Sequence, residues 1–427
     1  MNIPDLQLCD WQDPTIVVKE LINFYGDSGL FWLDGDGSKL GRWIKIGINP
    51  IEEICCRGLP KDQNGSNPFK SLRGLKPGHW TGWLSYEAGA WIEPNSNWKE
   101  NEMATLWIAS YDPILKFDLK KKQLWLEGCN QKRMEDFAKW LKSLSKKHDP
   151  VYKLQQNSSE NSISIDSWQW ISSKEEFSHD VMRLKQWIKD GDIFQANLTT
   201  SCRTKLPKKI SIIDIFNKLR SNCPSPFGGV VIGGNMAKGE AIISSSPERF
   251  LKVLPTGEIE TRPIKGTRPR NKNPKKDADM AADLICSSKD RAENIMIVDV
   301  LRNDLGRVCI PGSIYVSQLA ALESYMQVHH LTSVIKGSLQ RNKKWTDLLE
   351  ACWPGGSISG APKLRACKRL HELEAVERGP YCGSFINIDW DGTFDSNILI
   401  RSIIINDQIM RAHAGCGIVA DSDPTYE

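Results

Sequence analysis

No long hydrophobic run occurs in the 427 residues. None approaches the ~20 apolar residues that a bilayer-spanning helix needs, so no membrane association through such a helix is expected. A strong charge of either sign is also missing. Lys and Arg total 56 against 52 Asp and Glu, for a net charge of +4. So small an excess gives no case for nucleic acid or a charged membrane surface as a partner. The clusters Lys120–Lys122 and Lys146–Lys147 lack interleaved aromatics and read as solvated faces. Twelve cysteines are present, but no C-x-x-C pair and no Cys/His cluster with zinc spacing. Cys202, Cys309 and Cys352 sit in apolar contexts, which suits reduced thiols packed as small hydrophobes in a cytosolic compartment. The start, MNIPDLQLCDWQDP, has no basic segment leading into an apolar core, so no secretory signal is expected and the chain is placed in the cytoplasm. Internal repeats are absent. So is a Walker A loop, because Ala361 follows Gly360 where that motif needs lysine.

What is present is ordinary for a globular protein: 40% hydrophobic and 25% charged residues. The length suits about two to four core-sized units, or one elaborated fold. Residues 1–154 mix short strand-like runs with turns. GLFWLDGDG (29–37) reads as a strand entering an Asp-Gly turn, and HWTGWLSYEAGAWIE and ATLWIASYDPILKFDL alternate. MEDFAKWLKSLSKK (134–147) has helical spacing. The polar stretch 155–167 reads as a linker, and a second unit spans 168–427. It opens with a helix over 175–191, with Phe177, Val181, Leu184 and Ile188 as its stripe and Gly191 as its stop. FGGVVIGG, GEAIISSS, INIDW and ILIRSIIIN read as strands.

Several segments carry candidate chemistry. In ETRPIKGTRPR (260–270), Lys265 lies where a strand runs into a turn. SSKDRAENIMIVDVLRNDLGRV (287–308) predicts a helix from Asp290 to Leu305, stopped by Gly306, with a buried middle. Asp290 and Glu293 share one face at its start. Carboxylates entering a buried helix must be paired, hydrogen-bonded or metal-bound, so this pair is either a salt-bridge element or a hard-cation site. PGGSISGAPKLRACKRLHELE (354–374) predicts a flexible glycine loop, Pro362 in a first helical turn, and a stripe of Leu364, Cys367, Leu370 and Leu373. Backbone N–H groups at such a helix start can hold an anion. ERGPYCGSF (377–385) is a tight loop presenting Tyr381. Arg401, inside ILIRSIII, is either a structural partner or a carboxylate fork. AGCGIVADSDP (414–424) reads as a glycine turn. Together these suggest a site for a small polyanion with one divalent cation.

PIKGTRPR, DRAENIMIVDVLRNDLGRV, PGGSISGAPK, GPYCG, ILIRS and AGCGIVADSDP resemble, in order, the motifs of chorismate-utilising enzymes. The resemblance covers 168–427 closely and the N-terminal third loosely, through GWLSYEAGAWIE. It implies an α+β fold in which two large antiparallel β-sheets pack as a sandwich with surrounding helices. It implies chorismate as substrate and Mg²⁺ as cofactor. By the same resemblance Glu293 is a magnesium carboxylate, and Gly266 and Thr267 contact the ring carboxylate. Ser357 lies near the ring C4 oxygen. Tyr381, Arg401, Gly415 and Gly417 hold the enolpyruvyl carboxylate. Glu248 is a general acid and His330 lies close to the ring, and either would be a catalytic group that assists departure of the C4 hydroxyl. The plain alternatives are a Glu248–Arg249 pair and a satisfied core histidine. Relatives continue past the position of Glu427 as a helix carrying a second magnesium carboxylate and a substrate-binding lysine, so the metal site is expected to be incomplete in the sequence as it stands.

Within the family, Lys265 separates the branches. Anthranilate synthases usually carry alanine there, whereas aminodeoxychorismate synthases carry lysine and often serine at the position of Ser357. Isochorismate and salicylate synthases carry a water-activating lysine where this chain has Gln195. The resemblance thus implies the aminodeoxychorismate synthase component I branch, with Lys265 as a covalent catalyst feeding 4-aminobenzoate and folate synthesis. No nucleophilic-cysteine elbow of a glutaminase is present, which implies a separate glutamine amidotransferase subunit as ammonia source. Anthranilate synthase component I and a non-catalytic chorismate or amino-acid sensor are the rival expectations.

Overall fold

The computed structural model describes residues 3–145 and 163–427. Two antiparallel sheets, of twelve and ten strands, carry an α+β architecture with helices outside them. The larger sheet runs from the edge strand Asp5–Cys9 through Phe31–Leu33 and Gly229–Ile232 to Ser402–Asn406, Ile409–Ile418 and Gln195–Lys205. The smaller runs from Ile264–Pro269 and Val328–Ser338 through Arg249–Val253 and Ser384–Ile388 to His79–Leu84 and Glu52–Cys56. Strands from before and after the expected linker pair directly in both sheets. Phe31–Leu33 pairs with Gly229–Ile232, and His79–Leu84 pairs with Ser384–Ile388. The two sequence regions are therefore interleaved. Lys146–Lys147 and residues 155–162 of the expected linker lie outside the described residues, and 165–167 form a short 3₁₀ turn.

Period-2 alternation explains how the larger sheet is buried on both faces. Val231, Ile242 and Ile404 face the second sheet, in a core with Trp83, Trp107, Ile108 and Ile386. Their neighbours Val230, Ile243 and Ile405 point the other way, into a core closed by helices Pro14–Tyr25, Gln131–Ser145 and Ile212–Asn222. A third cluster packs Val181, Leu184, Ala366 and Leu370 of two helices onto Ala196, Leu198 and Ile418. Each fully buried aliphatic side chain stabilises by about 1.5–3 kcal/mol. All twelve cysteines are free thiols, with Cys309 and Cys352 buried and Cys202 partly so. Among the described residues no helix is long and apolar enough to cross a membrane.

The predicted helices exist, with some corrections. Lys174–Lys189 starts on a capping box between Ser173 and Glu176, and Gly191 follows it at φ +75°. Ser288–Gly306 is capped by Ser287, which accepts from the Asp290 N–H. Its middle is not fully buried. Asn294, Ile297, Val298, Leu301 and Leu305 face inward, but Ile295 is 41% exposed because the helix packs on strands from one side only. In Lys363–Leu373, Leu364 is exposed and Ala366 takes the inward position, while Pro362 sits just before the first turn. ILIRSIIIN is not one strand: Arg401 stands at φ +53°, and the strand begins at Ser402. AGCG is not a turn. It lies within Ile409–Ile418, where Gly415 and Gly417 oppose Thr199 and Asn197.

Candidate active site

Every site residue singled out in the sequence lines one cavity of about 1030 Å³. Strands of both sheets and the start of helix Ser288–Gly306 form its walls. A second cavity of about 500 Å³ holds none of those residues. Charged side chains there are paired with one another, Lys45 with Asp389 at 2.5 Å and Arg249 with Asp395 at 3.0 Å.

Lys265 reaches the larger cavity through a break in strand register. Gly266 stands at φ +83° between Lys265, opposite Leu331, and Thr267, opposite His330. Such a bulge re-aims the side chains beside it. A Cβ at Gly266 would press on Asp290 and Leu284 at 2.9–3.0 Å, so the backbone lies close against the helices. Burial pushes the Lys265 amine below the usual lysine range, while Glu293 and Glu248 draw it back up.

Glu248 is buried and accepts a 2.7 Å hydrogen bond from the Ser357 hydroxyl. Desolvation raises its pKa to about 7, against the opposing pull of Ser357, Lys265 and the Ile264 backbone. Arg249 pairs with Asp395 and Glu260 instead, which removes the plain pairing expected for Glu248. The expected flexible loop is packed. Gly355 and Gly356 abut Ile398, Phe250 and Val300, and Gly360, at φ +154°, leaves no room for a Cβ beside the Gln195 carbonyl. The loop brings Ser357 and Ile358 to the cavity, whereas the helix start at Lys363 does not line it.

Asp290 and Glu293 take different roles. Asp290 bonds Arg268 at 3.1 Å, the salt-bridge alternative. Glu293 has no hydrogen bond or ion pair among the described residues, and burial raises its pKa, opposed by Lys265 and Lys289 and reinforced by Asp290 and Glu427. Next to it, Asn294 donates to the Leu331 carbonyl at 3.2 Å and accepts from Ser333, which fixes the helix on strand Val328–Ser338. A Cβ at Gly417 would lie 2.8 Å from Gln195 Nε2, 3.4 Å from Glu293 Oε2 and 3.5 Å from Lys265 Nζ. Three polar side chains thus converge on one bare backbone position. Gln195 is fully buried, and neither atom of its amide has a partner among the described residues.

Also in the cavity lining, Arg401 donates to His330 Nε2 at 3.1 Å and has no acidic partner among the described residues. Tyr381 is buried and stacks on His413, with ring centroids 4.8 Å apart. Asn197, His413 and Cys416 also line the cavity and were not singled out. Nor was Arg378, which holds the scaffold. It forks onto Glu374 at 2.6 and 2.9 Å and donates to the carbonyls of Ile358 and Asn197, both at 2.7 Å. Only its place before the Gly379 turn hinted at this.

Residues 39–427 match the family model of chorismate binding enzymes. The chain belongs to that family. Among curated relatives of this chorismate-binding enzyme, an anthranilate synthase component I-like protein of Synechocystis sp. is 36% identical, over 82% of this chain and 70% of the relative. The aminodeoxychorismate synthase component 1 of Salmonella typhimurium is 41% identical, over 61% of this chain and 56% of the relative. The match thus spans little more than half the length of the second relative. The crystal structure of anthranilate synthase component I from Streptococcus pneumoniae superposes with a TM-score of 0.75 at 26% identity, covering 91% of this chain and 90% of the other.

Proposed function

We propose that this chorismate-binding enzyme replaces the C4 hydroxyl of chorismate with ammonia, giving 4-amino-4-deoxychorismate, with Lys265 as covalent catalyst. The convergence of Lys265, Glu293 and Gln195 on Gly417 carries the reading: an amine and a carboxylate of the cavity wall meet a buried amide at one bare backbone position. The buried acid Glu248 lines the same space. In the first step the Lys265 nitrogen lone pair bonds to ring C2. Both ring double bonds shift, from C1=C2 and C5=C6 to C1=C6 and C4=C5, and the C4–O bond breaks. Glu248 gives its proton, so the hydroxyl departs as water. Ammonia then bonds to C4, both double bonds shift back, and the C2–N bond breaks to return the Lys265 amine. The Glu248 carboxylate takes the surplus proton. Arg401, Tyr381 and the Thr267 hydroxyl suit the substrate's carboxylates.

Magnesium fits this wall. It needs only one or two protein carboxylates and fills its sphere with water and substrate oxygens. Glu293 is unpaired among the described residues, and Glu427 lines the same cavity. Such an ion would supply Lewis-acid withdrawal of electrons through the ring carboxylate. Ammonia would come from a glutamine amidotransferase subunit.

Anthranilate synthesis is the second reading, favoured by the anthranilate synthase component I-like relative, whose match covers the larger share of this chain. Incubation of the chain with chorismate, Mg²⁺ and ammonium, followed by chromatography with mass detection, separates the two. A 4-amino-4-deoxychorismate peak without anthranilate is expected, and Lys265→Ala should abolish it. Anthranilate plus pyruvate, or a Lys265→Ala enzyme making the 4-amino product at wild-type rate, would overturn the proposal.

A further inference from the structure

His330 is bonded at both ring nitrogens. Its Nε2 lies 3.1 Å from an Arg401 nitrogen, and its Nδ1 lies 2.9 Å from the Thr267 hydroxyl. A guanidinium carries only donors and stays protonated in proteins. The contact with Arg401 therefore requires a bare lone pair on Nε2. A ring protonated there would set two donors against each other. The single ring proton must sit on Nδ1, where the hydroxyl oxygen of Thr267 accepts it. The Thr267 hydrogen is then left to point elsewhere. Thr267 is exposed to the cavity, on the strand directly opposite His330.

We infer that His330 is a positioning residue, fixed as the neutral Nδ1–H tautomer, which aims Arg401 and makes the Thr267 hydroxyl a dedicated donor to a ligand carboxylate. The chain of polarity runs one way, from Arg401 to His330 to Thr267 and out into the cavity. It also joins the two sheets. His330 lies on strand Val328–Ser338 of the smaller sheet, and Arg401 immediately precedes strand Ser402–Asn406 of the larger. Arg401 is held in its left-handed backbone, and its carbonyl accepts from the Ser245 N–H at 3.1 Å. The surroundings agree. Burial and Arg401 push the His330 pKa down to about 4, outweighing the Gly266 backbone and Glu323, which favour the charged ring, while the neighbouring His329 pushes the same way as Arg401. Tyr325 packs edge-on to the ring at 5.9 Å. With Nε2 occupied and the ring neutral, His330 has no proton to give the departing hydroxyl, and that task falls to Glu248.

The inference rests on the chorismate reading only for the ligand's identity, so its test has a ligand-free arm. The wild-type chain labelled with ¹⁵N-histidine is examined by long-range proton–nitrogen correlation, with His330→Gln to assign the signal. One protonated nitrogen, Nδ1, with a bare Nε2 is expected from about pH 5 to about pH 8. A protonated Nε2, or a doubly protonated ring in that range, overturns the inference even if chorismate is turned over. In the kinetic arm, Thr267→Val should raise KM for chorismate about tenfold or more, with kcat within about threefold, because a donor to a charged oxygen is lost. Thr267→Ser, which keeps the hydroxyl, should restore KM. An unchanged KM in Thr267→Val overturns the donor role. A wild-type chain that neither binds nor converts chorismate removes the proposed function and leaves the tautomer result to stand or fall alone.

Discussion

A carboxylic acid that stays protonated near neutrality is the most consequential single group in the cavity. Glu248 has an ordinary value of 4.5 raised to about 7, with burial as the first cause. As a proton donor it should work below about pH 7, so kcat for the 4-amino product should fall as pH rises through that value. Glu248→Gln keeps a partner for Ser357 but has no proton to transfer, and should lower kcat by about 10²-fold or more. The sign of the stability effect follows from proton uptake. The folded chain binds the Glu248 proton more tightly than the unfolded chain. Its contribution is therefore fully present below about pH 4.5 and lost as pH rises through about 7, on the order of 3 kcal/mol. Denaturant titrations of wild type and Glu248→Gln on either side of that window should converge at the acid end and separate, with the variant more stable, at the alkaline end. Parallel curves would show that Glu248 binds its proton equally in the folded and unfolded chains.

Two elements set the precision of the cavity. On strand Ile409–Ile418, Gly417 keeps Lys265, Glu293 and Gln195 close to the backbone. Its φ is not in the left-handed region, so Gly417→Ala strains no backbone. The added methyl meets the ends of flexible side chains, which can move. Thermal stability should change by less than about 1 kcal/mol, while misplacement of the three groups should cost about 10²-fold in kcat. In the loop before strand Ser384–Ile388, Arg378 ties the Ser357 loop to strand Gln195–Lys205 through a buried fork on Glu374. Arg378→Ala leaves a buried carboxylate and two carbonyls without that partner, and should destabilise by about 3–5 kcal/mol by denaturant titration. These cases mark what the sequence could and could not convey. Motif residues such as Lys265, Glu293 and Arg401 were legible because glycines and apolar runs frame them. Asn294 was not, and neither was the tie that Arg378 makes beyond the nearby Glu374, because those partners are carbonyls and side chains far away in the chain, which no local pattern encodes. The AGCG stretch misled for a related reason: its glycines serve close approach of side chains within a strand, and a strand glycine and a turn glycine read alike.

At the scale of the molecule, the linker-like composition after residue 154 suggested two units, yet the pairing crosses it in both sheets. Strand Phe31–Leu33 sits in the middle of the larger sheet, bonded to Gly229–Ile232 on one side and Trp43–Gly47 on the other. His79–Leu84 likewise joins Ser384–Ile388 to Leu106–Tyr111. The core between the sheets draws Trp83 and Trp107 from the first region and Ile242, Ile386 and Ile404 from the second. Residues 163–427 produced alone would bare the Gly229–Ile232 and Ser384–Ile388 edges together with the apolar face beneath them. Exposed edges of that kind pair with other chains, so this fragment should aggregate or remain unfolded, although it carries every residue proposed for catalysis and binding. The companion fragment 1–145 should fail for the same reason. Mixed during refolding, the two should restore the pairings, with recovery of chorismate turnover and of one cooperative thermal transition. A fragment 163–427 that folds alone, with a sharp transition and native near-ultraviolet circular dichroism, would show that the interleaved strands are an addition to a self-sufficient unit.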